Sequence, residues 1–317
     1  MTEQHPPKTA DNPASHHSEQ TAIAALQTIA LEGLKEQKRS RRWGIFFKVA
    51  FLVYLFAFLA IMLNNTVNNG KHLSTAKAIT AVVDINGVIM DGNEASADLI
   101  IPSLQKAFAD ERTKGVIIRI NSPGGSPVQS GYINDEIHRL KKKYKDIPVY
   151  AVAADLCASG GYYIAVAADK IFVDKATIIG SIGVRMDTFG FVDAMEELGV
   201  ERRLLTAGEH KAIMDPFSPM NPSEKAHLET MLDNTHQQFI KVVKQGRGDR
   251  LSNNPKLFSG LFWNGEQSIG LGLADAQGST ASVARDIIGA EEIINFTTKE
   301  DFFERLTKQV STSMAEA

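Results

Sequence analysis

Ser159 is the residue of this chain best placed for covalent chemistry. It stands in Asp155-Leu-Cys-Ala-Ser-Gly-Gly-Tyr-Tyr-Ile-Ala165, between an apolar run at 149–154 and a small-residue, apolar run at 160–168. The first run follows Pro148 and reads as a buried strand; the second reads as a buried helix. A serine at such a junction lies at a helix N-terminus, where unpaired N–H groups and the helix dipole favour developing negative charge. Gly160 and Gly161, directly behind it, let a substrate backbone come close. That position suits acyl transfer, in which the hydroxyl attacks a carbonyl and charge collects on its oxygen.

A second glycine loop, Asn121-Ser-Pro-Gly-Gly125, follows a predicted strand at 115–120. Consecutive glycines after a strand can aim backbone N–H groups at a phosphate or an oxyanion. The loop lacks both the G-x-G-x-x-G order and a Gly-Lys-Ser/Thr ending, which argues against a nucleotide. Pro-Gly-Gly by itself is a turn; beside the Ser159 loop it becomes an oxyanion-hole candidate.

Ser159 needs a base. His138, His227 and His236 fall on predicted helices among polar neighbours and read as surface residues, and His72 lies in a polar stretch. His210 and Lys211 are adjacent in the loop 207–216, and spacing does not separate them as bases. A lysine takes this role only when desolvation brings its amine from about 10.4 towards roughly 7–8, at a cost of about 4 kcal/mol. Cys157, the single cysteine, reads as a compact apolar residue at the end of a buried strand.

The elements that must position these residues alternate along the chain. Strands are predicted at 79–85, 115–120, 149–154, 170–173, 178–184 and 202–206. Helices are predicted at 95–109, 130–145, 160–168, 192–198 and from Asn221 to about Lys244. Repeated βα units with short connections imply an α/β class with a largely parallel, buried sheet. The Lys141-Lys-Lys143 run is a solvated helix face.

Ahead of this region, 43–63 is an apolar stretch of 21 residues whose one charge is Lys48. As a helix at 1.5 Å per residue it spans roughly 30 Å, a bilayer core, and Lys48 can snorkel. Lys35, Lys38, Arg39, Arg41 and Arg42 precede it, and the first cation behind it is Lys71. The positive-inside rule places the N-terminus in the cytoplasm and everything after about residue 64 across the membrane. A small-x-small site, Ala76-Lys-Ala78, lies well past the apolar run, and the 42-residue leader is long for a cleaved signal. An uncleaved anchor is expected.

The resulting organisation is a leader at 1–42, disordered to about residue 20 and then amphipathic, an anchor at 43–63, a polar linker at 64–77, a globular domain at 78–298 and a flexible tail at 299–317. The net charge of −3 argues against nucleic acid as a bulk electrostatic partner.

Four segments occur together and in order: Asn121-Ser-Pro-Gly-Gly125, Ala158-Ser-Gly-Gly-Tyr-Tyr163, Gly180-Ser-Ile-Gly-Val184 and Gly208-Glu-His-Lys-Ala-Ile-Met-Asp-Pro216. The set resembles the signal peptide peptidase A family, membrane-anchored Ser-Lys peptidases with the Clp protease/crotonase-like ββα superhelix. The resemblance covers about residues 78–290 and is to the short, single-domain form. It implies Ser159 as nucleophile, Lys211 as general base and Ser181 as the serine that orients the lysine amine. Gly125 and Gly160 become the oxyanion donors, with Gly124 able to replace Gly125. Asp84-Ile-Asn-Gly-Val-Ile89 resembles the first-strand motif that lines the substrate groove, which puts Asp84, Asn86 and Gly87 beside an extended substrate.

The partners implied are peptide substrates such as cleaved signal peptides, the lipid bilayer, and further copies of the chain. The family assembles rings in which serine and lysine can come from neighbouring protomers. No cofactor and no metal is implied. Two other readings are an acyl-CoA enzyme of the same superfamily, which would also use two oxyanion loops, and a catalytically silent membrane scaffold acting through residues 1–42. The anchor and the Ser159/Lys211 pair weigh against the first.

Overall fold

The structure, a computed structural model, describes residues 13–69 and 76–298. Two compact units divide at residues 74 and 75. In the first, residues 13–69 form one helix, α1 (Pro13–Asn69). Within it, the 31 residues Leu31–Ile61 are long and apolar enough to cross a membrane, and their side chains are exposed.

The helix extends through 13–20 and 64–69, which the sequence reading assigned to disorder and to a linker. After Pro13, tolerated in a first helical turn, α1 contains no further proline. Once a long helix exists, each polar residue adds a hydrogen bond with no new nucleation cost. Residues 1–12, 70–75 and the tail 299–317 lie outside the described residues, as do the expectations for them.

In the second unit, β1 (Ile79–Asn86), α2 (Ala97–Ala109), β2 (Thr113–Ser122), α3 (Pro127–Lys143) and β3 (Val149–Ala158) form the first βα repeats. They are followed by α4 (Gly160–Ala165), β4 (Lys170–Val173), β5 (Ile178–Gly180), α5 (Val192–Glu197) and α6 (Pro222–Arg247). The chain then runs through β6 (Phe262–Asn264), α7 (Gly265–Gly270), β7 (Ala276–Gln277), α8 (Thr280–Ser282) and β8 (Ile293–Asn295).

The strands form one sheet in the order β6-β5-β3-β2-β1-β8, with β4 and β7 branching from β3. All of its pairings are parallel except β5 with β6. This is the expected α/β class. The strand expected at 202–206 is open chain, where Leu205 is 97% exposed and no other strand pairs with it.

Alternation along the strands builds two cores. Val83, Ile85, Ile118, Ile120, Ala151 and Ile171 face a large core shared with the helices, including Ile133, Ile137, Phe239 and Val243. Val82, Ile117, Val152 and Phe172 face a smaller one closed by Val283 and Ala284. Burial on both faces explains why these strands read as near-continuous apolar runs.

The branch at β3 positions the site. Its first half, Tyr150–Val152, pairs with β4, and its second half, Leu156–Ala158, pairs with β5. Thr177 Oγ1 donates to the Ala154 carbonyl at 2.6 Å where the two partners diverge. The second half of β3 therefore runs past the branch with β5 alongside it, and delivers Ser159 and Ser181 at adjacent strand ends.

Candidate active site

Ser159 has φ +53° and ψ −121°, a conformation that costs a non-glycine residue about 1–3 kcal/mol. Its surroundings hold it there. The Ser159 N–H donates to the Gly180 carbonyl at 2.8 Å, and the Ser159 carbonyl accepts from Tyr163 N–H at 2.9 Å, opening α4. Gly124 packs from the other side so closely that a Cβ on it would lie 2.7 Å from Ser159 Cβ. The hydroxyl is therefore presented on a sharp strand-to-helix turn that cannot relax.

The Gly124-Gly125 loop is pinned by its neighbours. Ser122 Oγ donates to the Gly87 carbonyl at 2.6 Å and accepts from Gly124 N–H at 3.1 Å. Ile89 N–H donates to the Gly124 carbonyl at 2.9 Å, and Ser126 N–H donates to Ile89 O at 2.7 Å. With Gly124 N–H so engaged, Gly125 is the loop glycine whose N–H has no acceptor among the described residues, and the Gly160 N–H likewise has none. The two glycines are neighbours, since a Cβ on Gly160 would lie 3.3 Å from Gly125 N. Two free donors beside a strained serine can hold an oxyanion.

Ser159, Ser181, Gly124, Gly125 and Gly160 line one open cleft of about 820 Å³. Ser181 shares the φ of +53°, and its N–H donates to Leu261 O at 2.8 Å. His236 also lines the cleft. The sequence reading put it on the surface, but it is half-buried, with Nε2 3.1 Å from the Ile182 carbonyl. Because that oxygen can only accept, Nε2 carries the proton. The signal was its position on α6, three and seven residues before the buried Phe239 and Val243.

Lys211 does not line the cleft. It is exposed, in a turn where its N–H donates to Gly208 O at 3.2 Å. The turn is braced by Asp215, which pairs with Arg202 at 2.7 Å and accepts from Ser218 Oγ at 2.6 Å. His210 is exposed too, with Nδ1 3.0 Å from Glu224 Oε1. Neither candidate base meets Ser159 within one copy of the chain.

Asp84, Asn86 and Gly87 are not among the cleft's lining residues; Val88 is. Asp84 is buried in a two-point ion pair with Arg119, at 2.7 Å for both contacts, and also accepts from Asn295 Nδ2 at 2.8 Å. Strand alternation places Asp84 and Asn86 with Val82, on the sheet face of the small core. Gly87 acts through its carbonyl, which holds Ser122. Burial pushes the Cys157 thiol far up, so it stays protonated and structural.

A sequence model of peptidase family S49 matches residues 141–290, a span containing Ser159, Ser181 and Lys211. A candidate protease of Synechocystis is 30% identical over 206 residues, which are 65% of this chain and 72% of that protein. The chain belongs to peptidase family S49.

Other relatives extend beyond what this S49 member matches. A candidate signal peptide peptidase of Enterococcus faecium is 32% identical over 204 residues, covering 62% of this chain and 59% of that protein. A Brucella melitensis protein named as a sodium/proton antiporter is 42% identical over 213 residues. Those residues are 66% of this chain and only 29% of that protein, so the chain spans under a third of its length.

Proposed function

We propose that this S49 member is a membrane-anchored serine endopeptidase that works through Ser159 and Lys211. The observation that carries the reading is the Ser159 turn, strained and flanked by the acceptor-free N–H groups of Gly125 and Gly160. Ser159 Oγ attacks a peptide carbonyl as Lys211 takes its proton, and the carbonyl oxygen becomes an oxyanion between the two glycines. The C–N bond then breaks, the amine leaves with the proton from Lys211, and an acyl-enzyme remains on Ser159. Water, deprotonated by the same amine, hydrolyses it. Ser181 orients the amine.

Lys211 comes from a second copy of the chain in this reading. It sits on an excursion, 184–220, that exposes Phe189, Leu198 and Leu205 at 75%, 78% and 97%. Apolar side chains presented this way mark a protein contact. With α1 crossing the inner membrane and the N-terminus cytoplasmic, the protease domain faces the periplasm or the outside. Peptides left at the membrane, cleaved signal peptides above all, are the substrates.

The test is a serine-reactive fluorophosphonate applied to the intact protein in detergent or lipid. A single adduct mapped to Ser159 supports the reading. No adduct, together with thermal stabilisation by coenzyme A, would replace it with an acyl-CoA enzyme.

A further inference from the structure

Ser130 stands out among the polar side chains of the second unit. It lies one turn into α3 and is 0% exposed, and its Oγ has no hydrogen-bond partner among the described residues. Buried hydroxyls are nearly always paired, so an unpaired one calls for an explanation. This one stands in the wall of the cleft that holds Ser159. A Cβ on Gly160 would lie 2.5 Å from Ser130 Oγ and 3.3 Å from Gly125 N, so the hydroxyl is a close neighbour of the two glycines whose N–H groups are free.

The surroundings fix Ser130 firmly. Its N–H donates to Ser126 O at 3.1 Å, and one turn later Asn134 Nδ2 donates to Tyr163 O at 2.7 Å, locking α3 against α4. Three donors with no acceptor of their own form a place for an electron-rich oxygen.

We propose that Ser130 Oγ–H is a third donor to the substrate oxygen held between Gly125 and Gly160. The inference rests on Ser159 being the nucleophile. The oxygen gains negative charge as Ser159 attacks, and Ser130 shares that charge through a hydrogen bond while keeping its own proton. The contact strengthens in the tetrahedral state, so it acts on kcat and leaves KM nearly alone.

The experiment compares wild type, Ser130→Ala and Ser130→Cys, the last keeping the volume with a much weaker donor. A fluorophosphonate adduct on Ser159 carries an oxygen into the same site, so its formation rate is read beside peptide hydrolysis and melting temperature. Both variants should lose on the order of a hundredfold in kcat and slow labelling in parallel. KM and melting temperature should hold, because the alanine removes a buried group that had no partner. Labelling and kcat within about twofold of wild type in either variant, with wild type labelled normally, would overturn the inference alone. A wild type that takes no label at Ser159 would overturn the underlying reading with it.

Discussion

The Ser159 N–H donates to the Gly180 carbonyl at 2.8 Å, so one hydrogen bond ties the turn of the proposed nucleophile to the residue before Ser181. Both serines have φ +53°, and Gly180 between them and the sheet has φ +110°. Each strained strand end is braced by the neighbour beside it: β5 supplies the acceptor for Ser159, and Leu261 O, just before β6, accepts from Ser181. Pre-organised geometry of this kind is what nucleophilic catalysis requires before any base arrives.

Ser159→Ala and Lys211→Ala should each lower hydrolysis of an unfolded protein to background, while His210→Ala keeps most activity. The imidazole of His210 is already engaged by Glu224. Steady-state rates on one fluorogenic peptide decide this, and full activity in Lys211→Ala would remove the lysine from the mechanism.

His236 offers a competing base, since it reaches the cleft within one copy. Its hydrogen bond to Ile182 O, which also accepts from Gly260 N–H at 3.1 Å, fits a positioning role instead. Glutamine can supply the same donor but cannot act as a base. His236→Gln should therefore retain most activity; a loss as deep as that of Lys211→Ala would make the histidine the base.

Gly124→Ala should fail for a local reason. Its φ is +94°, and a Cβ there would lie 2.6 Å from Gly160 N and 2.7 Å from Ser159 Cβ. The variant should lose about 1–3 kcal/mol of stability and most Ser159 labelling. A variant with wild-type melting and labelling rate would show that the turn does not need this close approach.

The anchor of α6 gives a pH prediction. Arg247, 1% exposed, donates to Gly272 O at 2.8 Å and pairs with Asp275 at 2.7 Å. Burial pushes the Asp275 carboxyl up, but hydrogen bonds from Arg247 and the Ile171 N–H, with the charges of Arg247 and Arg250, bring it below its ordinary value. Its contribution is therefore present above the unfolded value of about 3.9 and lost as pH falls through the lower folded value. Asp275→Asn should cost about 3–5 kcal/mol at neutral pH by leaving Arg247 unpaired. The gap in melting temperature between variant and wild type should narrow below about pH 4; a gap independent of pH would contradict this.

Much of the fold was legible because β1 to β4 are buried on both faces and their apolar runs have strand length. The short β6, β7 and β8, of two or three residues each, carry too few positions for any period. The turns that carry Ser159, Gly125 and Gly160 were legible because glycines and a serine at strand ends mark turns. Ser130 and His236 lie on helices whose inward stripes include Ile133, Ile137, Phe239 and Val243, so their period held the signal that their polarity masked. Asp84 pairs with Arg119 and does not line the cleft, a placement hidden from the sequence because a motif fixes order along a strand, while the pleat decides which face a side chain takes.

The central claim is that a copy of the chain lacking Lys211 can be completed by one lacking Ser159. The direct measurement mixes full-length Ser159→Ala and Lys211→Ala proteins, each inactive alone, under conditions that allow subunit exchange, and follows peptide hydrolysis. The account predicts that activity returns, with fluorophosphonate labelling confined to Ser159 of the Lys211→Ala copies. Co-assembly without any recovery of hydrolysis or labelling would contradict it.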